Sequence, residues 1–430
     1  MDASRITEYN PWWDSGQVRK ELCPAYERHM LPEMLASLNL RAASVLRGPR
    51  RAGKSTLLYQ SINKLLADGV EPNAVLFFSF DAEGGDIQNL LDEYRNTILA
   101  APLESKKRIY IFLDEVQKCR GWAEQVKRNY DLYPNIKFVL SGSVSFDLGA
   151  GATESLAGRA KEFVLMPMSF REYLELRGEK LPHVGAQLNK FLVAEKRLQP
   201  YFMHYLTTGG FPEIALEDNI STIRDYVMSS IVRRVVYGDL FQDSRTGDPE
   251  SMMALLRAIS EKPGILLNYE RLGSDIGRDR RTVSSYISRL EYAMVIRTLG
   301  NITGSSLSSS RKHRKAYPVS TALTFAYKGY DLKEEDLGHV YETAVMNQLD
   351  AKYFWRRTRA EIDFITGDRG EIATEVKLGG EGPFHFEKYA KSRALKKAMV
   401  VTRNASGNGV ADGIEYRKVP AWAMCAGAEI

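Results

Sequence analysis

The chain has 430 residues, 44% hydrophobic and 26% charged, and its 59 Lys and Arg against 54 Asp and Glu leave a formal net charge of +5. At about 150 residues per domain this is roughly two to four globular domains, and the composition excludes a disordered or collagen-like chain. So weak a positive balance confines any nucleic-acid footprint to a local patch.

Cys23, Cys119 and Cys425 stand far apart with no CxxC spacing. That excludes a disulfide scaffold or a zinc ribbon and fits a reducing cytosol. The N-terminus, MDASRITEYNPWW, lacks a basic-then-apolar signal pattern, and no apolar run approaches the roughly 20 residues of a membrane span. A soluble, cytoplasmic protein without membrane contact is expected.

Residues 26–40 (YERHMLPEMLASLNL) place Met30, Met34, Leu35 and Leu38 on one helical face, so 1–40 reads as an N-terminal helical segment. From residue 41 short apolar runs (ASVL, AVLFFSF, IYIFLDE, IKFVLSG) alternate with polar, helix-like stretches. This texture predicts a parallel sheet buried on both faces, hence a three-layer α/β domain over 41–165.

Within that domain GPRRAGKS satisfies GxxxxGK[ST], between an apolar run and a helical stretch. Gly48, Pro49, Arg50, Arg51, Ala52, Gly53, Lys54, Ser55 and Thr56 are therefore the candidate ATP-binding residues. Gly48 and Gly53 let the backbone curl around phosphates at a helix N-terminus. Lys54 would bridge the β- and γ-phosphates, and the Ser55 hydroxyl would reach magnesium. Asp114, closing IYIFLDE, is placed to hold magnesium through a water, and Glu115 to polarise the attacking water. Ser141 and Ser143 end the next strand, either near the γ-phosphate or as plain turn residues. Arg159 (LAGRA) is a candidate to stabilise phosphoryl-transfer charge, in its own subunit or from a neighbour, which would imply a homo-oligomer. The other reading of Arg159 is a solvated surface arginine.

After Pro167 the pattern turns helical, through SFREYLELRG and residues 188–206, and breaks at Gly209-Gly210. A further helical block begins at SMMALLRAIS. Residues 264–297 read as helix-turn-helix: Leu272 and Ile276 anchor one helix, and Gly277, Arg278 and Asp279 make the turn. The second helix, about Arg281 to Ala293, buries Val283, Ile287 and Leu290 and turns Arg280, Arg281, Thr282, Ser285 and Tyr286 outward. VIRTLGNI would form a wing. Such a module either reads DNA or serves packing alone. The serine-rich 304–310 looks like a linker, and RKHRK (311–315) either tracks phosphates or is a solvated basic turn.

Residues 361–378 (EIDFITGDRGEIATEVKL) predict a hairpin turning near Asp368, with Glu361, Asp363, Glu375 and Lys377 on one face. Three carboxylates and a lysine so placed would repel or desolvate one another. Magnesium or manganese would relieve this, with Lys377 orienting or polarising the attacking water. Glu342, on the predicted helix HVYETAVMNQL, is a further candidate ligand. A helix carrying Lys388, Lys391, Arg393, Lys396 and Lys397 is expected downstream. The alternative is an exposed hairpin whose charges are merely solvated.

GPRRAGKST, FLDEVQ, LSGSVS, LAGRAKEFVLMPMSFREYL, GGFPE and EIDF…EVK together resemble the archaeal and bacterial AAA-type ATPases with a C-terminal nuclease-like domain. The resemblance spans nearly the whole chain. It implies an α/β fold: a parallel-sheet P-loop ATPase core (41–165), a helical lid (166–250), a winged-helix module (251–312) and a mixed α/β PD-(D/E)xK nuclease-like domain (313–430). By motif it assigns Gly48, Gly53, Lys54 and Ser55 to ATP, and Asp114 and Glu115 to magnesium and hydrolysis. Asp363, Glu375 and Lys377 fall on the nuclease motif, with Glu342 as a fourth member. The histidines do not cluster, so no metal beyond magnesium or manganese is expected. Two functions follow. One is an ATPase coupled to DNA binding or metal-dependent DNA processing. The other is an ATP-driven switch or scaffold whose C-terminal domain binds nucleic acid or protein without cutting.

Overall fold

The apolar runs of the first 166 residues become five parallel strands: β1 (Ala43–Arg47), β2 (Val75–Ser79), β3 (Ile109–Asp114), β4 (Ile136–Gly142) and β5 (Ala160–Val164), in the order β2-β3-β4-β1-β5. This computed structural model describes residues 3–81, 85–142, 156–240, 248–302 and 314–429. It comprises two units, Met1–Met166 and Pro167–Ile430.

In the first unit alternate strand residues feed two cores. Val45, Leu76, Phe78, Ile111 and Phe138 pack on one face, and Leu46, Val75, Phe77, Phe112 and Val139 on the other. Strands buried on both faces need no polar alternation, which explains the continuous apolar runs. The edge strand β2 is covered by the N-terminal segment. Helix α1 (Ala3–Tyr9) leads to Asn10, whose amide donates to the Phe77 carbonyl at 2.8 Å and accepts from the Phe77 N–H at 2.6 Å. The indole N–H groups of Trp12 and Trp13 both donate to the Val75 carbonyl. An open strand edge is thereby satisfied by side chains. The helix expected over 26–40 is confined to α2 (Leu31–Leu38), because Pro32 lacks an N–H and fits only a first turn.

The second unit contains a nine-stranded mixed sheet among the described residues. Its strands are β6 (Ile265–Leu266), β7 (Ile296–Asn301), β8 (Arg314–Pro318), β9 (Tyr353–Arg357), β10 (Ala360–Thr366), β11 (Ile372–Val376), β12 (Lys397–Thr402), β13 (Gly407–Ala411) and β14 (Ile414–Pro420). They lie in the order β13-β14-β12-β11-β10-β9-β7-β8-β6. The hairpin β7–β8 occupies the place expected for a wing, yet β7 also pairs in parallel with β9 through Gly300 and Asn301. A boundary at 312 would cut that hairpin, so residues 251–312 and 313–430 share one sheet. The expected helix over 188–206 is broken into Leu188–Leu192, Glu195–Leu198 and α4 (Pro200–Thr208). Downstream of β11 the helix is only Phe386–Ala390, and Lys397 already begins β12.

The GGFPE segment has a steric cause. α4 ends at Gly209, with φ +63°. A Cβ there would lie 1.9 Å from Ser320 Oγ and 2.7 Å from the Ala322 nitrogen, and one at Gly210 would lie 2.3 Å from the Met168 carbonyl oxygen. Ser320 caps the helix Thr321–Lys328 and donates to the Gly209 carbonyl at 2.8 Å. Two glycines thus allow three backbone segments to meet.

Candidate functional site

The phosphate loop joins β1 to helix α3 (Lys54–Ala67). Gly53 takes φ +96° at the entry to this helix, and a Cβ at Gly48 would stand 2.2 Å from the Leu165 carbonyl oxygen. No side chain caps the helix N-terminus and no acidic residue sits in its first turn. Its amides and dipole therefore suit an anion. The Lys54 ammonium curls over the loop, 3.0 Å from the carbonyl oxygens of both Gly48 and Pro49.

Neighbouring strand ends complete the site. The Ser55 hydroxyl donates to Asp114 Oδ2 at 2.6 Å, and the Ser141 hydroxyl donates to Asp114 Oδ1. Burial and the adjacent Glu115 raise the Asp114 pKa, against the pull of these two hydrogen bonds and of Lys54. Hard oxygens at Ser55 and Asp114 are a donor set that suits magnesium. Glu115 adopts a left-handed φ of +50°, and its Oε2 accepts from the Gln117 side-chain amide. Strained backbone of this kind gathers at functional sites.

Ser141 thus joins the site through Asp114, while Ser143 lies outside the described residues. Arg159 is at the other end of the sheet. It precedes β5, its carbonyl accepts from Ala43 at the start of β1, and its guanidinium holds Asp131 at 3.0 Å. The phosphate loop follows the far end of β1, about 16 Å away at 3.3 Å per residue. A role for Arg159 within its own subunit is therefore excluded. Sequence reading missed Arg28, whose guanidinium donates to the carbonyls of Ala52 and Met166 at 2.8 and 2.9 Å and so braces the loop.

In the second unit the helix-turn-helix comprises Tyr269–Ile276 and Arg280–Tyr292, joined through Gly277 at φ +67°. Arg280, Arg281 and Ser285 are exposed and Thr282 is half-buried. Tyr286 differs from expectation: it is buried, because its hydroxyl accepts from the Asp248 N–H at 2.8 Å. Two residues of the RKHRK cluster also face inward. Arg314 pairs with Glu291 at 2.8 Å, and Lys315 is buried among carboxylates. Neither is exposed to track phosphates, and residues 311–313 lie outside the described residues.

Those carboxylates belong to the β10–β11 hairpin, where Phe364 pairs with Thr374 and Thr366 with Ile372. Against β9 the register of β10 shifts between Ile362 and Ile365, a bulge that holds Asp363. Bulges re-aim side chains in this way beside sites. Asp363 Oδ2 accepts from the Val376 N–H at 2.8 Å. Its Oδ1 faces Lys315 Nζ at 3.9 Å, and the same ammonium is paired with Glu361. Lys377 Nζ lies 3.4 Å from Glu375 Oε2, whereas Glu375 Oε1 is buried without a hydrogen-bond partner. Burial and Asp363 push the Glu375 carboxyl well above the usual carboxylate range. Burial alone would lower Lys377, but Asp363, Glu375 and Glu342 outweigh it and raise its pKa.

Glu342, the further candidate ligand, lies on the helix Glu334–Gln348 and faces the same cluster: burial and Asp363 push its carboxyl up to about 8, against the pull of Lys315 and Lys377. Its Oε2 accepts from the Tyr317 hydroxyl at 3.2 Å and its Oε1 stands 3.9 Å from His339 Nδ1. Among the described residues no three His, Cys, Asp or Glu side chains form a group able to hold a metal ion. Asp363 and Glu375 still offer a carboxylate pair with an unsatisfied oxygen. That suits a magnesium-like ion, which commonly keeps several waters and takes one or two carboxylates.

Residues 40–174 match the sequence profile of a family described as an AAA domain. That match takes in the phosphate loop and all five strands of the first unit. Residues 199–334 match a second profile, described as a domain of unknown function (DUF8612), which runs across both 250 and 312. An uncharacterised protein of Haemophilus influenzae is 24% identical over 88% of this chain and 94% of its own length. One from Methanocaldococcus jannaschii is 29% identical over 83% of this chain and 80% of its own. A solved Drosophila ORC bound to DNA is similar over 38% of this chain and 94% of its own, at 16% identity and a TM-score of 0.26. No helix among the described residues is long and apolar enough to cross a membrane.

Proposed function

We propose that this chain hydrolyses ATP at the phosphate loop and couples turnover to DNA binding and metal-dependent DNA cleavage by the second unit. The carrying observation for ATP is the joined set Ser55, Asp114 and Ser141 beside Lys54. Lys54 leaves the Gly48 and Pro49 carbonyls for the β- and γ-phosphates. Ser141 fixes one Asp114 oxygen so that the other meets the Ser55 side. Glu115 orients and polarises the attacking water. Arg159 acts on the ATP of a neighbouring copy, in a homo-oligomer.

For DNA, the support is the unsatisfied Glu375 Oε1 between Asp363 and Lys377. Asp363 and Glu375 present oxygens, and Lys377 holds Glu375 in place and orients water at the scissile phosphate. Magnesium or manganese, when bound, supplies charge neutralisation and Lewis acidity at both sites. Arg280 and Arg281 contribute phosphate contacts from the exposed helix start.

The second reading is a switch or scaffold that binds DNA or protein without cutting. It is favoured by Lys315, a cation already lodged among the carboxylates. The test is cleavage of single-stranded, double-stranded and branched DNA with ATP and magnesium or manganese. Cleavage lost in Asp363→Ala and Lys377→Ala, with ATPase retained, supports the nuclease. Salt-dependent DNA binding by a wild type that cuts none of the substrates replaces it with the scaffold.

A further inference from the structure

Lys315 sits on β8, yet its carboxylate partners sit on β10, with β7 and β9 between them in the sheet. The side chain is 6% exposed, and its ammonium lies 5.3 Å over the Phe354 ring, in contact with Glu361. It faces Asp363 Oδ1, the oxygen left over once Oδ2 has taken the Val376 N–H. That is the oxygen a metal ion would take. Meanwhile Glu375, 2% exposed, keeps Oε1 without a partner, so the lysine does not satisfy the whole cluster. Burial of an unpaired carboxylate oxygen is costly, and the remaining demand is for a cation or a donor.

We propose that Lys315 is a built-in counter-ion at this site, one that a divalent ion must outcompete in order to bind. Metal loading of the second unit is then self-restrained, and release of Lys315 from Glu361 and Asp363 opens the site. The inference rests on the reading of Asp363 and Glu375 as metal ligands. An ammonium and a divalent ion cannot share one carboxylate oxygen without strong like-charge repulsion, so removing the first strengthens binding of the second.

Manganese binding to the full chain without nucleotide, read by electron paramagnetic resonance, tests this directly. Lys315→Met is expected to bind Mn²⁺ at least tenfold more tightly than wild type, and Lys315→Arg to stay near wild type. Adding Asp363→Asn to Lys315→Met should remove the gained affinity. If Lys315→Met does not fold, Glu361→Gln loosens the lysine while leaving a cation for Asp363, and a smaller gain of about threefold is expected. Wild type that binds Mn²⁺ through Asp363, with no tightening in the folded variants, overturns the counter-ion and leaves the metal site standing. No Asp363-dependent binding in wild type or variants overturns both.

Discussion

The two candidate sites gather charge in opposite ways. At the phosphate loop every partner comes from one short motif or from the ends of adjacent parallel strands: Lys54 and Ser55 after β1, Asp114 at the end of β3, Ser141 near the end of β4. Strand ends of a parallel sheet meet wherever the sheet forms, so this constellation needs little beyond the fold itself. At the β10–β11 hairpin the acidic pair is local, but its cation arrives from β8, with β7 and β9 between in the sheet order. The side chains that would meet the nucleotide are thus set by the parallel sheet, with Arg28 bracing the loop from outside it, whereas the second site takes its cation from a distant strand.

The sharpest way to break this comparison is at the loop. Lys54→Ala is expected to abolish ATP binding, measured with a fluorescent nucleotide, because it removes the ammonium held inside the backbone cradle that the phosphates would enter. Retained affinity would end the reading. Glu115→Gln should bind ATP and lose hydrolysis by about 10²–10⁴-fold, the range for a lost acid–base group.

Arg159→Ala should cost up to ~10³-fold in ATPase rate if it serves a neighbouring copy. Mixing it with Lys54→Ala protein should then restore part of the rate. An Arg159→Ala chain that hydrolyses ATP normally removes the role. For the second unit, Gly209→Ala is expected to cost about 2–3 kcal/mol in chemical denaturation, since its Cβ meets Ser320 and the Ala322 backbone at positive φ.

The most gradual effect is a pH dependence. Lys137 is wholly buried in β4 and donates to the Ala42 carbonyl, and burial, then Arg108 and Lys161, bring its pKa down to about 7. Between that value and its unfolded value of about 10.4 the unfolded chain holds the extra proton. Its contribution to stability therefore rises with pH across that window and is lowest below pH 7. The slope is at most about 1.4 kcal/mol per pH unit for this one group. Lys137→Met should flatten the window in denaturant titrations from pH 7 to 10. A wild-type slope unchanged by the substitution would show that the lysine is not neutralised.

Residues that sequence reading found and missed divide along the same line. The loop was legible because GPRRAGKS carries its own geometry, and Asp114 because an apolar run ended in an acidic residue. Arg28 was missed because bracing a loop from a distant segment leaves no pattern in spacing. The paired tryptophans Trp12 and Trp13, in an otherwise polar N-terminus, were the available sign that this segment covers an edge strand. Tyr286 followed helical periodicity outward, but a hydrogen bond to the Asp248 backbone drew it in.

By itself the sequence determined the parallel core, the phosphate-binding motif, the helix-turn-helix and the hairpin that puts Glu361, Asp363, Glu375 and Lys377 on one face. Each depends on periodicity or a contiguous motif, which neighbours in the chain suffice to set. Tertiary structure alone decided that Arg159 lies a strand's length from its own phosphate loop and that the β7–β8 hairpin belongs to the C-terminal sheet. It also set Lys315 among the carboxylates, because sheet order and the bulge in β10 place residues far apart in the chain side by side.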